Sequence, residues 1–181
     1  MKPSQAEPWL RGPLAGTHAL LQPAAHAFVM ALEDVEAAVE GLAQDQVWIS
    51  PGTAAPIGFH LAHLTGSTDR LLTYARGESL SDSQVAALQG ERELNHTRPS
   101  LDSLLGAWRA AVDAALRQIA DTPASILLEP RAVGRSRLPS TVLGLIFHSA
   151  EHAQRHVGQI ITTAKIVRAG APSRASTAFP R

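Results

Sequence analysis

Apolar residues recur at steps of three and four along four long stretches of this sequence, which is the spacing of α-helices with one buried face. The first stretch runs from about Ala19 to Leu42, and Pro23 suits the first turn of its helix because no N–H is required there. The second stretch reads IGFHLAHLTGSTDRLLTYARG, in which Gly77 is a typical residue to end a helix. The pattern therefore predicts two amphipathic helices in the first half of the chain.

The second half of the chain holds two further stretches of the same kind. One follows Ser100, a typical N-cap residue, and closes at the sequence DTP, residues 121–123. The other spans about Thr141 to Val167 and begins after Pro139 and Ser140, which favour the start of a helix. Four long helices without a convincing strand pattern predict an all-α fold, a four-helix bundle.

Two connections between these helices have patterns of their own. The segment SLSDSQVAALQGERE predicts a short helix with Ser81 or Ser83 as its N-cap. The segment SILLEPRAVGRSRLPS is ambiguous between a short strand and a loop, and we interpret it as a connection. Both segments are therefore expected to lie outside the four main helices.

The two ends of the chain differ from the body in composition. Pro and Gly interrupt residues 1–17, so we predict an extended arm that docks onto the body through Trp9 and Leu10. Residues 18–168 are predicted to form the bundle. Residues 169–181 are rich in Pro, Ala and Ser and lack an apolar period, which predicts a flexible tail.

Composition and charge exclude several classes of protein. Acidic and basic residues balance at 16 each and interleave, so we expect no nucleic-acid partner. Apolar runs long enough to cross a bilayer are absent and the N-terminus lacks the pattern of a secretory signal, so we expect a cytoplasmic protein without a membrane partner. The chain has no cysteine, which excludes disulfides, zinc–thiolate clusters and a cysteine nucleophile.

The histidines are the residues that a plain helical core does not explain. The segment HSAEHAQRHVGQI places His148, His152 and His156 four residues apart, on one stripe of the fourth helix. Apolar residues cover much of that helix otherwise, and a buried imidazole without a partner costs about 1–3 kcal/mol. On the second helix, His60 and His63 lie one turn apart. Two histidines from one helix and one from another give three nitrogen ligands and an open position, as in catalytic zinc sites.

Histidines in helices also have explanations other than metal binding. A lone histidine in a helix is more often exposed or hydrogen-bonded, and the pattern HxxxH also occurs by chance. We apply this interpretation to the isolated His18, His26 and His96, although His26 on the first helix could approach the site. Imidazole ligands alone suit zinc, nickel, iron or copper and do not select among them.

Two stretches of the sequence, PIGFHLAHLTGSTDRLLTYARGE and LPSTVLGLIFHSAEHAQRHVGQI, resemble the DinB/YfiT-like superfamily of metalloenzymes. The resemblance covers about residues 18–168 and implies a four-helix bundle with up-down-down-up topology, commonly dimeric, that holds a divalent metal ion on three histidines. By matching motif, these ligands are His63 in HLTGS, and His152 and His156 in HAQRHVGQI. Zinc or nickel is the expected metal, with iron as the next choice.

His60 and His148 are extra to this triad, and we take them as candidate catalytic residues. His148 could hydrogen-bond a metal-bound water and His60 could orient a substrate, but either could equally support a ligand, carry protons or be a plain core residue. We expect Glu151 to form a salt bridge rather than to act as a general base. Arg70 and Arg155 border the histidine stripes, where they could pair with an anionic substrate or with an acidic side chain.

The resemblance implies a divalent-metal-dependent enzyme, most concretely an S-transferase for a low-molecular-weight thiol such as bacillithiol or mycothiol. The thiol must come from a substrate, because the chain has none. A metal-dependent hydrolase and a non-catalytic metal- or ligand-binding stress protein are the alternatives. We also expect a homodimer, because Val157 and Ile161 lie opposite the histidine stripe and exceed what one core should cover.

Overall fold

The computed structural model of the chain describes residues 6–170. Residues 1–5 and 171–181, which hold the start of the predicted arm and most of the predicted tail, lie outside the described part. Short 3-10 turns join the main elements. The helices are α1 (Gln22–Val39), α2 (Ile57–Ala75), α3 (Asp82–Gly90), α4 (Leu94–Thr97), α5 (Leu101–Asp121) and α6 (Val142–Gly170), and the strands are β1 (Pro130–Val133) and β2 (Leu138–Thr141).

The four long helices enclose one apolar core. Helices α1 and α2 each pack against both α5 and α6. Helices α2 and α6 run antiparallel, because His60 contacts His156 while His63, one turn later, contacts His152. The predicted all-α bundle is confirmed, and the up-down-down-up order of its helices stays a prediction.

The predicted helix ends are confirmed at several residues. Pro23 lies in the first turn of α1. The Ser81 hydroxyl accepts from the backbone N–H of Gln84, whose side chain in turn accepts from the Ser81 N–H. The Ser100 hydroxyl caps α5 by accepting from the backbone N–H of Ser103. Gly77 follows α2 with a φ of +82°, a left-handed conformation that favours glycine. These local signals fixed the helix boundaries to within a few residues.

The ambiguous connection before α6 is a β-hairpin, which moves the start of the last helix. Strand β1 pairs antiparallel with β2, so Pro139 and Ser140 belong to a strand and do not open the helix. Helix α6 starts at Val142, and the Thr141 hydroxyl caps it by accepting from the N–H of Gly144 at 3.0 Å. The hairpin therefore leads directly into the helix that carries three histidines.

Trp48 holds the beginning of α2 in place. Its indole lies against Gly58, where an added Cβ would come within 2.5 Å of the ring, so a larger residue would push the indole away. The indole N–H donates to the carbonyl of Pro99 at 3.2 Å, just before α5. This contact fixes the first turns of α2, from which His60 and His63 project.

The N-terminal arm is attached differently from our prediction. Trp9 and Leu10 are 57% and 58% exposed, so the expectation that they dock the arm was wrong. Pro8 is the buried residue of this segment, and Arg11 pairs with Glu33 of α1 at 2.6 Å. A proline and an ion pair therefore do what we assigned to the two large apolar side chains.

The apolar face of α6 that led us to expect a homodimer packs inside the bundle. Val157 is buried and Ile161 is half-buried against the core of the same chain. The helix face opposite the histidines is therefore covered within the bundle, and the homodimer stays a prediction without that support. Among the described helices, none is long and apolar enough to cross a bilayer.

Candidate metal centre

Three histidines converge between α2 and α6. One ring nitrogen from each of His63, His152 and His156 lies within 4.8 Å of the others, and among residues 6–170 this is the one group of three potential ligands that is so close. Nε2 of His63 is 3.2 Å from Nε2 of His152, and the rings of His152 and His156 have centroids 4.6 Å apart. These are the three residues to which the family resemblance pointed.

The ring of His63 is held from two sides. Its Nδ1 lies 2.7 Å from Oε2 of Glu91, and since a carboxylate only accepts, Nδ1 carries the proton. Phe59 stacks on the ring, with centroids 5.8 Å apart and an interplanar angle of 6°. This arrangement leaves Nε2 of His63 with its lone pair facing the other two histidines.

Glu91 is the residue of this site that the sequence analysis missed. Its side chain is only 14% exposed, and Nη1 of Arg70 lies 2.8 Å from Oε1. Burial raises the pKa of the Glu91 carboxyl, but the hydrogen bond from His63 and the charge of Arg70 outweigh burial, so that the pKa lies below its ordinary value. Glu91 is therefore ionised at neutral pH and polarises the His63 ring.

Gly66 makes room for this ion pair on α2. A Cβ at position 66 would lie 2.7 Å from Nη1 of Arg70 and 3.1 Å from Oε1 of Glu91. A glycine is therefore required on steric grounds at this position of the HLTGS segment, because the Arg70 guanidinium lies across the helix surface here.

His60 supports the site from the core side. It is buried, and its Nδ1 lies 3.0 Å from Nδ1 of His156, so one of the two rings donates to the other. This contact uses Nδ1 of His156 and leaves Nε2 as the atom available for a ligand bond. The structure therefore places His60 behind a potential ligand.

The neutral imidazole is favoured at three of the clustered histidines, His60, His152 and His156. Burial, together with the positive charge that neighbouring histidines would carry, lowers the pKa of His60 and of His152. The same causes, burial first and then the charges of His152 and His63, lower the pKa of His156 to about 4. A neutral ring keeps the lone pair that a metal ion needs, so the lowered pKa values of His152 and His156 favour the form that binds a metal ion.

His148 lies next to the cluster without joining it. Its side chain is half exposed, its Nδ1 is 3.4 Å from Oε2 of Glu151, and its ring centroid is 5.7 Å from that of His152. Glu151 also pairs with Arg155 one turn later, which is the salt bridge we expected for it. Nε2 of His148 makes no hydrogen bond within the described residues.

The remaining histidines have ordinary roles. His18 caps a 3-10 turn by accepting from the N–H of Leu20. His26 lies 2.9 Å from the carbonyl of Gly12 and so ties the N-terminal segment to α1, which settles the question that the sequence left open. His96 is exposed on α4. None of them approaches the cluster.

The donor set fits a divalent metal ion. Two nitrogens that bind one tetrahedral zinc ion at about 2.0–2.1 Å lie about 3.3 Å apart, close to the 3.2 Å between His63 and His152. Each ring that has a fixed partner at Nδ1 presents Nε2 inward. The three side chains could therefore hold a metal ion, and imidazole ligands leave the choice among zinc, nickel and iron open.

Comparison with known protein families agrees with this geometry. The family model described as the DinB superfamily matches residues 27–160, which is more than half of the chain. The matched span contains the three clustered histidines and both of their supporting residues, His60 and Glu91. No curated protein matches the sequence significantly.

Proposed function

The chain belongs to the DinB superfamily, and we propose that it is a divalent-metal-dependent enzyme whose ion is held by His63, His152 and His156. The observation that carries this proposal is the convergence of three ring nitrogens within 4.8 Å. Two of these rings have an ordered partner at Nδ1, which is the usual support of metal-binding histidines. One of these partners, Glu91, lies outside the four long helices, and the other, His60, is buried on α2.

The reaction that suits this site best is transfer of a low-molecular-weight thiol to an electrophile. A divalent cation bound by three histidines lowers the pKa of a thiol or a water molecule and so supplies a nucleophile at neutral pH. The chain itself has no cysteine, so the thiol is a substrate. Zinc or nickel is the proposed ion.

The chain's own residues position and exchange protons in this scheme. Glu91 and His60 keep the rings of His63 and His156 turned toward the substrate. His148 is half exposed beside His152, and its Nδ1 faces Glu151, which leaves Nε2 for the proton that the thiol releases. The sulfur then forms a bond to the electrophilic carbon, and the leaving group departs with the electron pair of the broken bond.

The experiment combines metal content with turnover. Protein purified without a histidine tag or chelator is loaded with zinc or nickel, and conjugation of small thiols to chlorodinitrobenzene is followed by absorbance. We expect a rate that needs both the metal and the protein, and that His152→Ala removes. Near-stoichiometric metal with ester hydrolysis and no thiol conjugation would favour the hydrolase. Bound metal without either reaction would favour a binding protein.

A further inference from the structure

A cleft leads away from the histidine cluster along α2. Its inner part, about 310 Å³, is lined by His63, His148 and His152 together with Ser67 and Leu71. Its outer part, about 480 Å³, reaches the turn of the β-hairpin at Gly134 and Arg135. The two parts are adjacent, because Tyr74, Leu80 and Leu88 line both of them.

The size of the cleft suits an elongated small molecule. His63 and Tyr74 lie on one side of α2 and are eleven residues apart, which at about 1.5 Å per residue is roughly 16 Å. Pockets for small molecules typically have volumes of about 300–1,000 Å³, and both parts of this cleft lie within that range.

The walls of the cleft are mainly apolar. Leu71 and Tyr74 of α2 form one wall, and Leu80, Val85 and Leu88, in and just before α3, form the other. Helix α3 buries none of its residues, and Leu88 is 43% exposed. Leu88 therefore keeps part of its apolar surface open toward the cleft, so an apolar ligand would gain contact area there.

The outer end of the cleft carries a positive charge. Arg131 of the same hairpin is tied to Glu129 and to the carbonyl of Ala75. Arg135 makes no hydrogen bond or ion pair with any residue in the range 6–170 and lines the outer part of the cleft. A free guanidinium at this position favours a carboxylate, sulfonate or phosphate group.

We propose that this cleft binds the electrophilic substrate, and that this substrate has an elongated apolar or aromatic body with an anionic group at one end. The body lies between α2 and α3, against Tyr74 and Leu88. The anionic end lies at Arg135, and the reactive end lies at the histidine cluster. The assignment of the reactive end rests on the proposed function, whereas binding in the cleft does not require a metal ion.

Anilinonaphthalene sulfonate is a suitable probe, since it is aromatic, anionic and fluorescent when shielded from water. The full chain is titrated without metal, and each variant is first checked for an unchanged melting temperature. We expect one site, weakened about five- to tenfold by Leu88→Gln and by Arg135→Gln, as the loss of an apolar contact or a charged hydrogen bond implies. The matched controls are Leu128→Gln, at a residue 77% exposed outside the cleft, and Arg92→Gln, at an exposed arginine that does not line it.

The neutral analogue anilinonaphthalene separates the two parts of the proposal. Its affinity should fall in the Leu88→Gln variant and should be the same for the native protein and the Arg135→Gln variant. Equal affinity of the sulfonate for all four variants, or equal weakening of both probes by Arg135→Gln, would overturn the proposed cleft. Loss of metal binding or turnover alone would overturn the proposed function instead, because the probe is measured in metal-free protein.

Discussion

The two pairs of helices in the bundle bury different kinds of side chain. Helices α1 and α5 bury apolar residues alone, with Phe28 and Trp108 as the largest. Within residues 6–170, every buried polar or charged residue lies on α2 or α6. These residues are His60, Ser67, Thr68, Arg70, Thr73, Ser149 and Thr163. The contrast teaches that the polar side chains needed for a site are confined to one pair of helices, while the other pair buries apolar residues.

The stability cost of burying polar groups depends on whether each group finds a hydrogen-bond partner. The Thr73 hydroxyl bonds the carbonyl of Asp69, and the Ser67 hydroxyl bonds that of Leu64, so these polar groups are compensated within α2. The Ser149 hydroxyl of α6 is buried without a hydrogen bond among the described residues, and so is the indole N–H of Trp108 in α5, so the apolar pair also buries one uncompensated group. An uncompensated hydroxyl of this kind costs about 1–3 kcal/mol.

The largest effect on stability is expected from the apolar pair. Phe28→Ala in α1 removes a fully buried ring and should lower the free energy of unfolding by about 3–5 kcal/mol. The fraction that remains folded should keep its metal, because Phe28 does not belong to the histidine cluster. Urea unfolding and elemental analysis below the transition check both statements. Loss of metal from the folded fraction would show that the two helix pairs are not separable.

The largest effect on metal binding is expected from the polar pair. His152→Ala removes one of the three proposed ligands and should abolish near-stoichiometric metal content, whereas His148→Ala should keep it, since that ring lies outside the cluster. The matched control on the other pair is His26→Ala, at a histidine bonded to the N-terminal segment. Elemental analysis of the three variants decides, and equal metal in His152→Ala and His148→Ala would contradict the ligand assignment.

The same contrast explains what the sequence could predict. Helix α5 and the histidines of α6 repeat with the period of a helix, so their faces follow from the spacing alone. The third candidate ligand, His63, was identified through its likeness to a family motif. The spacing of residues along each helix, together with the family motif, was therefore enough to predict the bundle and the three potential ligands.

Two features depend on contacts that spacing does not encode. Glu91 lies 28 positions after His63 in a short exposed turn with no apolar period, so no pattern relates them. The β-hairpin was not predicted because its strands have only four residues each and both contain a proline, which disfavours strands. Tertiary contacts decide both, and a single sequence gives no direct signal for them.

Glu91 should matter less to metal binding than a ligand does and more than any exposed carboxylate. Glu91→Gln removes the charge that polarises His63 and leaves Arg70 without its partner, so we expect metal affinity about 10–100-fold weaker. The control is Glu93→Gln, an exposed carboxylate of the same turn. Competition titration with a chromophoric chelator measures both. Equal affinities in the two variants would mean that Glu91 does not hold the ring.

The smallest effects are expected at two glycines that lie within helices of different pairs. Gly106 of α5 has no atom within 4 Å of an added Cβ, so Gly106→Ala should raise the free energy of unfolding by about 0.5–1 kcal/mol. At Gly66 of α2, the same methyl group would meet the Arg70 guanidinium at 2.7 Å, and the ion pair with Glu91 must shift. Gly66→Ala should therefore not show the gain in stability expected for Gly106→Ala, and it should weaken metal binding several-fold.

Thermal unfolding of both metal-free variants and the chelator titration separate these effects. A gain of about 0.5–1 kcal/mol corresponds to roughly 1–4 °C in melting temperature for a chain of this length, which a matched pair resolves. The contrary outcome is that Gly66→Ala raises the melting temperature as much as Gly106→Ala and leaves the metal affinity unchanged. Movement of the Arg70 guanidinium would then affect neither stability nor metal binding. The ion pair would then be an incidental surface contact, and the second helix pair would need only its histidines to form the site.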